Sequence, residues 1–414
     1  MLPDKKILIV APYGFNGRLT NFMEFITARL LAKNNWRVIG LTRRQDKLNE
    51  PSSFNGIKIH RYQYLARGVC LLLKIFIFNR PAVIHIYNLR NNRLGVLAAI
   101  LAKLSARPFI FTEYGLLHDH YLVTDRDNPL GKDLEPNGLV FSLKQIFIKS
   151  FINRTAPLRI NLKNYFYHWA LTHADKIVFV SRHNLPLAKQ LGLKNYVYLP
   201  YFFDDARWQI NAIEEQVESN DTETVKKIEA LRGSPACLFV GQLKLRKGWD
   251  VYLKAAALID KSLMPFFIVV TPSASVPPEY FNNLVKDLGI KDRIVFFGKI
   301  SDQTLQKIYD LCSLVVVPSR YEGFGLVAVE AFAAKKPLIA SAAEALTETV
   351  SDGYNGLLVT ANDPEKLARA ICELTADRNL AQRLVAGGEQ TLTQLKSTKY
   401  KTQWLDFYEK LISK

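Results

Sequence analysis

The feature that most constrains the fold is an alternation of short apolar runs with helix-like segments, which occurs in both halves of the chain. The runs of strand length are KILIVAP, WRVIGLT, AVIHIY, PFIFTEYG, KIVFVS and YVYLP, followed by ACLFVG, FFIVV, RIVFFG, LVVVPS, PLIAS and GLLVT. Apolar runs separated by helical segments indicate βαβ units and parallel sheets that are covered on both faces. Because 414 residues are too many for one ordinary domain, we predict two doubly wound α/β domains.

The predicted domains divide the chain near residue 205. Residues 1–205 form the first domain, 206–395 the second, and 396–414 a terminal helix whose Trp404, Phe407, Tyr408 and Leu411 share one stripe. The acidic, polar stretch 210–233 is a connector, a surface helix or an insertion, and 119–165 looks inserted. Two such domains facing each other would hold a ligand between the carboxyl ends of their strands.

Composition and charge narrow the class of protein. An apolar fraction of 49% with 22% charged residues is typical of a globular chain. The four cysteines are scattered, without the spacing of a disulfide framework or a zinc site, which favours a reducing, cytoplasmic setting. The net charge of +17 lies in the first half, where residues 1–200 hold 29 Lys and Arg against 11 Asp and Glu. A basic half predicts a surface for phosphates, anionic lipid or an acidic polymer.

The stretch SRYEGFGLVAVEAFAAKKP places one carboxylate, Glu330, inside a segment that reads as a buried helix. A glycine-containing turn, Gly323 to Gly325, precedes it, and it either presents backbone N–H groups to an anion such as phosphate or has a purely structural role. Glu330 is then placed to accept hydrogen bonds from a ribose diol. The alternative, a structural pair with a buried Arg or Lys, is equally compatible with the residues.

Basic and glycine-containing loops follow other strands. KLRKGW (244–249) comes after ACLFVG and puts Lys244, Arg246 and Lys247 at the carboxyl edge of the second sheet, where they bind phosphate or form a solvated turn. In the first half APYGFNGR contributes Gly14, Gly17 and Arg18, although a lone glycine loop is weak evidence.

The stretch EYGLLHDHY brings Glu113, His118, Asp119 and His120 to the end of the strand PFIFT. Neutral histidines beside carboxylates serve as a base or as metal ligands, and a solvated loop is the alternative. DRD (125–127) lacks a preceding strand, so we interpret it as a loop.

With these residues in view, the sequence resembles the retaining glycosyltransferase family 4 (GT4), which has the GT-B architecture of two Rossmann-like domains facing across a cleft. The E-x7-E pattern from Glu322 to Glu330 is the most specific match. VGQL…KG, DRIVFFGKISDQTLQKIYDLCSLVVVPS, ETVSDGYNGLLV and ADKIVFVS support it. In such folds the terminal helix crosses back to the first domain.

The resemblance implies that a nucleotide-sugar donor, UDP- or GDP-linked, binds the second domain and that an acceptor binds the first. Glu330 would bind the donor ribose, and Glu322 would contact the transferred sugar. The remaining donor-binding positions would be Gly241, Gln242, Arg246, Lys247, Phe324, Gly325 and Leu326. On the acceptor side, Gly14, Gly17 and Arg18 form a loop, and Tyr114 or His118 approaches the sugar. Neither a metal nor another cofactor is expected, because cations and a helix N-terminus neutralise the leaving diphosphate.

Several positions depart from the family pattern. Gln242 stands where an Arg is usual, Tyr114 where a His is frequent, and Tyr201-Phe202 and Glu344-Ala345 replace glycine-containing pairs. These changes bear on the identity of the donor more than on the core chemistry.

The resulting hypothesis is a hexosyltransferase of envelope or exopolysaccharide assembly that acts on a glycan or lipid-linked acceptor. Its basic segments, 61–80 and 141–154, either attach it peripherally to anionic lipid at the inner face of the membrane or are core helices with exposed lysines. A nucleotide-sugar epimerase, a phosphorylase and a non-catalytic glycan-binding relative are the alternatives. We expect no nucleic-acid partner, since no recognition module is present.

Overall fold

The structure, a computed structural model, describes residues 5–12, 15, 23–44, 52–54, 56–88, 92–113, 169–190, 192–203, 222–272 and 276–413. These residues form two compact units. One contains the described residues up to 203 together with 396–413, and the other contains those from 222 to 395. The segment 119–165, which was predicted to be an insertion and contains His120 and DRD, lies outside the described residues, as does His118.

The first unit is built on one twisted sheet. Its strands are β1 (Lys6–Ala11), β2 (Arg37–Arg43), β3 (Ser53–Phe54), β4 (Ile57–Tyr62), β5 (Val83–Tyr87), β6 (Phe109–Glu113), β7 (Lys176–Phe179) and β8 (Tyr196–Tyr198). The order is β3-β4-β2-β1-β5-β6-β7-β8, and all neighbours are parallel except β3 with β4. Its helices are α1 (Met23–Lys33), α2 (Leu65–Lys74), a π-helical turn over Ile75–Asn79, α3 (Arg93–Leu104), residues 169–173 and α4 (Asn184–Gln190).

Strand β4 was not among the predicted strands. Its sequence, IKIHRY, has only two aliphatic residues. Lys58 is exposed, and His60 and Arg61 are half-buried. A strand near the edge of a sheet is covered less completely than a central one, so its apolar signal is weaker.

The terminal helix α13 (Thr398–Ile412) packs on the first unit, as predicted. Trp404 and Tyr408 are fully buried on its inner face. The indole Nε1 of Trp404 donates a 2.9 Å hydrogen bond to the carbonyl oxygen of Pro200, and the Tyr408 hydroxyl lies 2.6 Å from Nδ1 of His85. Hydrogen bonds of this kind satisfy the polar tips of aromatic residues that would otherwise be costly to bury.

The second unit has a six-stranded parallel sheet. Its strands are β9 (Ala236–Val240), β10 (Phe266–Val270), β11 (Ile294–Phe297), β12 (Leu314–Val317), β13 (Leu338–Ser341) and β14 (Leu357–Val359), in the order β11-β10-β9-β12-β13-β14. Its helices are α5 (Thr222–Leu231), α6 (Trp249–Leu258), α7 (Glu279–Asp287), α8 (Asp302–Leu311), α9 (Leu326–Ala333), α10 (Leu346–Thr349), α11 (Pro364–Ala376) and α12 (Arg378–Leu395). Counted within the unit, this is the 3-2-1-4-5-6 strand order of a dinucleotide-binding fold.

Local sequence explains where several of these helices begin. Ser301 caps α8 by accepting a 3.1 Å hydrogen bond from the Thr304 N–H, and Asp363 caps α11 by accepting one of 2.9 Å from Lys366. Pro364 fits at the first position of α11, because an N–H there would have no partner within the helix and proline has none. No helix among the described residues is long and apolar enough to cross a membrane.

Candidate active site

The strand order of the second unit places two loops side by side. β9 and β12 are neighbours in the sheet, yet β10 follows β9 on one side and β13 follows β12 on the other. At such a switch point the loops after the two strands diverge and leave a crevice at the carboxyl edge. These loops are 241–248 and 318–325, which carry most of the residues predicted to bind a donor.

The loop after β9 is fixed by its backbone. The Gly241 N–H donates a 2.9 Å hydrogen bond to Val270, and a short 3-10 turn over Leu245–Lys247 leads to Gly248. Gly248 has φ 68°, and a Cβ atom there would lie 1.9 Å from the carbonyl oxygen of Pro318. Only glycine allows this backbone to approach the second loop so closely.

Arg320 joins the two loops. Its guanidinium donates two 2.7 Å hydrogen bonds to the carboxylate of Asp250, and its side chain also contacts the carbonyl oxygen of Leu245. The Arg320 N–H donates a 2.8 Å hydrogen bond to the carbonyl oxygen of Arg246. Bidentate Arg–carboxylate pairs fix both distance and orientation, so the loop that carries Lys247 has a defined place beside the loop that carries Glu322.

Lys247 and Glu322 meet at this junction. The Lys247 ammonium forms an ion pair with Oε2 of Glu322, and both side chains are largely buried, with exposures of 17% and 12%. The Ser319 hydroxyl donates a 3.1 Å hydrogen bond to the same oxygen. Both contacts described for this carboxylate use Oε2.

The environment of Glu322 keeps it charged. Burial alone would raise the pKa of its carboxyl, and it is the largest single influence. The charges of Lys247 and Arg246 oppose it, and the hydrogen bonds to Oε2 add to their effect. The pKa of Glu322 therefore lies below its ordinary value, and the group is a carboxylate at neutral pH.

A helix N-terminus lies directly beyond Glu322. Gly325 precedes α9 with φ 87° and ψ 50°, and a Cβ atom there would lie 2.5 Å from Cδ2 of Leu346. The Thr349 hydroxyl donates a 3.0 Å hydrogen bond to the carbonyl oxygen of Phe324 and so holds the turn. The first N–H groups of a helix have no intrahelical acceptor, and the helix dipole adds partial positive charge, so this end of α9 suits an anion.

Glu330 lies in the second turn of α9 and is 6% exposed. The buried hydroxyl of Tyr309 in α8 donates a 3.0 Å hydrogen bond to its Oε2. Glu330 lies, as predicted, in a helix whose other residues are apolar. Neither the ribose interpretation nor the ion-pair alternative named the tyrosine that contacts it.

The structure brings together the predicted positions of the second unit. Gly241, Gln242, Arg246 and Lys247 belong to one loop, and Glu322, Phe324, Gly325, Leu326 and Glu330 belong to the other loop and its helix. Gln242 is half-exposed, and the Arg246 guanidinium lies 5.9 Å from the centre of the Tyr321 ring. The predicted acceptor-side residues Gly14, Gly17, Arg18, Tyr114 and His118 lie outside the described residues.

Four residues of the site were missed by sequence reasoning: Asp250, Tyr309, Ser319 and Arg320. Ser319 and Arg320 lie within SRYEG, just before the first glutamate of the E-x7-E pattern, and Tyr309 and Ser319 lie within the family-like stretch that ends in LVVVPS. One family departure has a visible backbone consequence. Glu344, where glycine is usual, has φ 33°, in the region that favours glycine.

Solved structures with the same fold match nearly the whole chain. Sucrose-phosphate synthase from Thermosynechococcus elongatus superimposes with a TM-score of 0.73 over 99% of each chain at 20% identity. Anabaena HepE in complex with UDP and glucose superimposes with a TM-score of 0.70 over 98% of this chain and 100% of that one, at 16% identity. The two parallel-sheet units therefore define a protein of the GT-B fold.

Sequence relatives give the family. The profile described as "Glycosyl transferases group 1" matches residues 220–391. An uncharacterized glycosyltransferase of Methanocaldococcus jannaschii is 30% identical over 284 residues, 66% of this chain and 69% of the relative. D-inositol 3-phosphate glycosyltransferase of Acidothermus cellulolyticus is 38% identical over 158 residues, which span only 35% of that protein. The chain belongs to the group 1 glycosyl transferases.

Proposed function

We propose that this glycosyltransferase is a retaining, GT4-type enzyme that moves a hexose-type sugar from a UDP- or GDP-sugar to a glycan or lipid-linked acceptor. We place it in envelope or exopolysaccharide biosynthesis, and we propose that it uses neither a divalent metal nor a cofactor beyond the donor itself. One observation carries the proposal: a buried Lys247–Glu322 pair lies beside the N-terminus of α9 at the switch point of the second sheet.

The donor diphosphate fits the positive groups of this junction. Lys247 and Arg246 supply full charges, and the backbone of Phe324, Gly325 and Leu326 supplies the helix N-terminus. The ion pair with Glu322 holds the Lys247 ammonium in place before the donor binds. Lys247 would then contact both Glu322 and the diphosphate. Such preorganised charge stabilises the diphosphate as it leaves, and stabilisation of developing charge is usually the largest contribution to catalysis.

The two glutamates have different surroundings and different proposed roles. Glu330 is deeply buried in α9, where the Tyr309 hydroxyl fixes its Oε2, and it would accept hydrogen bonds from the ribose hydroxyls. Glu322 is anchored through Oε2, and its Oε1 would contact a hydroxyl of the transferred sugar. A carboxylate held in this way also stabilises the positive charge that develops on the sugar ring.

Retention of configuration follows from attack on the face that the diphosphate leaves. The bond between the anomeric carbon and the diphosphate oxygen breaks, and the acceptor oxygen bonds to that carbon. The acceptor proton passes to the departing phosphate oxygen, so no protein base is consumed. For the acceptor side we keep the assignments made from the sequence. The loop with Gly14, Gly17 and Arg18 would face the acceptor, and Tyr114 or His118 would approach the sugar.

Support for the nucleotide comes from the neighbours in fold. Anabaena HepE was solved with UDP and glucose, which makes UDP-glucose the first donor to test on this chain. The printed activities of other relatives differ, and the match to D-inositol 3-phosphate glycosyltransferase is confined to about a third of that protein.

A thermal-shift panel of UDP-, GDP- and ADP-sugars tests the donor. Binding stabilises the folded state by mass action, by about 2.7 kcal/mol when the ligand is at 100 times its Kd. One nucleotide class should raise the midpoint of unfolding, and a flat response to the whole panel would contradict the proposal.

Turnover of the binding donor then separates an enzyme from a binding protein. Glu322→Gln should lower donor hydrolysis or transfer by about a hundredfold or more, since it removes the charge at the sugar. The exposed Glu365→Gln in α11 is the matched control and should leave turnover unchanged. Equal turnover of wild type and Glu322→Gln would overturn the role assigned to this residue.

A further inference from the structure

A long segment of the first unit contains no carboxylate. From residue 51 to residue 112 the sequence has no Asp or Glu, although the whole chain has 38 of them. The same segment has nine basic residues: Lys58, Arg61, Arg67, Lys74, Arg80, Arg90, Arg93, Lys103 and Arg107. This run includes β4, α2, the π-helical turn, β5 and α3, so the excess charge belongs to one connected part of the fold.

Large apolar side chains are exposed on the same part. Eleven large apolar residues among the described residues are strongly exposed, and six of them lie here. They are Tyr64 (68% exposed), Leu65 (44%), Leu73 (41%), Ile77 (61%), Phe78 (78%) and Leu104 (80%). Single exposed apolar residues need no explanation, but a cluster of this size on one segment indicates an interaction surface.

The exposed residues of α2 and the π-helical turn form an outer stripe, and the opposite face is fixed in the core. Gly68, Leu72, Ile75 and Phe76 are buried, and a Cβ atom on Gly68 would lie 2.9 Å from the ring of Tyr62. The helix therefore lies tightly on β4 and cannot rotate its apolar stripe inward. Arg67, Lys74 and Arg80 are exposed along the same stretch.

The end of α3 extends this surface. The Arg107 guanidinium donates a 3.4 Å hydrogen bond to the carbonyl oxygen of Phe76 and lies 5.4 Å from the centre of its ring. Burial, followed by the nearby charge of Arg80, lowers the pKa of Arg107, so these two cations are close enough to repel each other. The exposed Lys103 and Leu104 belong to the same end of α3. We call the exposed apolar residues and the cations around them, Arg67, Lys74, Arg80, Lys103 and Arg107, the basic stripe.

We propose that the basic stripe docks the protein peripherally on an anionic lipid bilayer. The cations match lipid phosphates, and the aromatic and aliphatic side chains between them match the boundary between headgroups and acyl chains. Nucleic acid would use the cations and leave Ile77, Phe78 and Leu104 in water. An acidic protein partner would need carboxylates at the rim and an apolar groove or helix at the centre. A bilayer supplies phosphates for the cations and an apolar layer for the exposed side chains between them.

Vesicle sedimentation of the full chain tests the proposal. The probes are phosphatidylcholine vesicles and vesicles with 30% phosphatidylglycerol, in 0.05 and 0.5 M NaCl. Wild type should bind the anionic vesicles at least roughly tenfold more tightly at low salt, and high salt should remove most of the difference. Equal binding to neutral and anionic vesicles, or no binding to either, would overturn the proposal.

Two variants separate the charges from the apolar contacts. Lys74→Glu/Arg80→Glu/Lys103→Glu should weaken binding to anionic vesicles by more than roughly tenfold. Ile77→Ser/Phe78→Ser should weaken it by a comparable factor while leaving the salt dependence in place. Both variants change exposed side chains, so circular dichroism and the midpoint of unfolding should match wild type.

The matched control reverses three exposed lysines of the second unit, Lys286→Glu/Lys291→Glu/Lys307→Glu. It changes the net charge by the same amount and should bind vesicles within about twofold of wild type. If it loses binding as fully as the stripe variant, net charge alone is responsible and the proposal is wrong. A competition with double-stranded DNA compares wild type with Ile77→Ser/Phe78→Ser. If DNA displaces both proteins from the vesicles equally well, the surface binds nucleic acid and the proposal is wrong.

Discussion

The hydroxyl of Tyr309 donates a 3.0 Å hydrogen bond to Oε2 of Glu330, a carboxylate 21 residues further along the chain and in a different helix. A carboxylate that is 6% exposed is costly to bury unless its oxygens are hydrogen-bonded. The tyrosine removes part of that cost and fixes the orientation of the oxygen, and the proposed ribose contact depends on both.

Replacing Glu330 by Gln should therefore affect ligand binding more than folding. We expect the Kd for the nucleotide-sugar to rise about tenfold or more, because the amide accepts hydrogen bonds less strongly than the carboxylate. Tyr309→Phe should raise the Kd only a few-fold and lower the free energy of unfolding by about 1–2 kcal/mol. Calorimetric titration and urea unfolding measure the two quantities.

Tyr252→Phe is the control for that experiment. It also removes a buried tyrosine hydroxyl, one that donates a 2.7 Å hydrogen bond to the carbonyl oxygen of Cys237. It should cost similar stability and leave the Kd unchanged. If Glu330→Gln binds the donor as wild type does, Glu330 has a structural role and the ribose assignment is wrong.

Gly248→Ala should disrupt the site by moving its two loops apart. A methyl group 1.9 Å from the carbonyl oxygen of Pro318 cannot be accommodated, and φ 68° adds strain for alanine. We expect a loss of about 3 kcal/mol or more in the free energy of unfolding, or loss of donor binding where the loop shifts instead.

Gly289→Ala provides the comparison for Gly248. Its φ is 65°, but no atom lies within 4 Å of the added methyl group. This variant should lose only about 1 kcal/mol and should bind the donor normally. Equal effects of the two substitutions would show that the contact with Pro318 is not what matters.

Arg320→Lys should loosen the loop that carries Lys247. The lysine keeps the charge but loses the bidentate contact with Asp250, whose side chain is 11% exposed. We expect a loss of about 1–3 kcal/mol in stability and a weaker affinity for the donor. Lys261→Gln, which breaks the exposed pair with Asp292, should change neither quantity. Unchanged donor affinity in Arg320→Lys would exclude a positioning role.

His85 should make the stability of the first unit depend on pH. It is fully buried between the hydroxyls of Tyr408 and Thr112, at 2.6 and 2.7 Å, and burial holds its pKa well below 6.5. Below pH 6.5 the unfolded chain binds a proton that the folded chain does not. The free energy of unfolding should therefore fall as pH falls, by about 1.4 kcal/mol per pH unit.

Urea unfolding of wild type and His85→Gln between pH 7.5 and 5 isolates this contribution. The variant should show a shallower slope below pH 6.5, because it lacks the titrating group. The difference between the two proteins separates His85 from His60, whose pKa burial also lowers. Equal slopes would contradict the assignment.

The sequence predicts each short segment of the site, but it does not predict the contacts that join these segments. The apolar environment of Glu330, the turn at Gly325 and the basic loop around Lys247 are each encoded within about ten residues, and the structure confirms all three. The Lys247–Glu322 and Arg320–Asp250 contacts join residues 75 and 70 positions apart. Only the order of strands in the sheet determines that these loops are neighbours, and no short-range pattern records that order.

The core of the first unit has a consequence for biosynthesis, because it is built from residues that precede the second unit in the sequence and from residues that follow it. The described residues 222–272 and 276–395 belong to the second unit, whereas Trp404 and Tyr408 enter the first unit from a helix made after them. A ribosome that synthesises the chain from its N-terminus releases residues 5–203 before these two aromatic side chains exist. The second unit can thus complete its core first, and the earlier-made half keeps apolar surface exposed until α13 arrives.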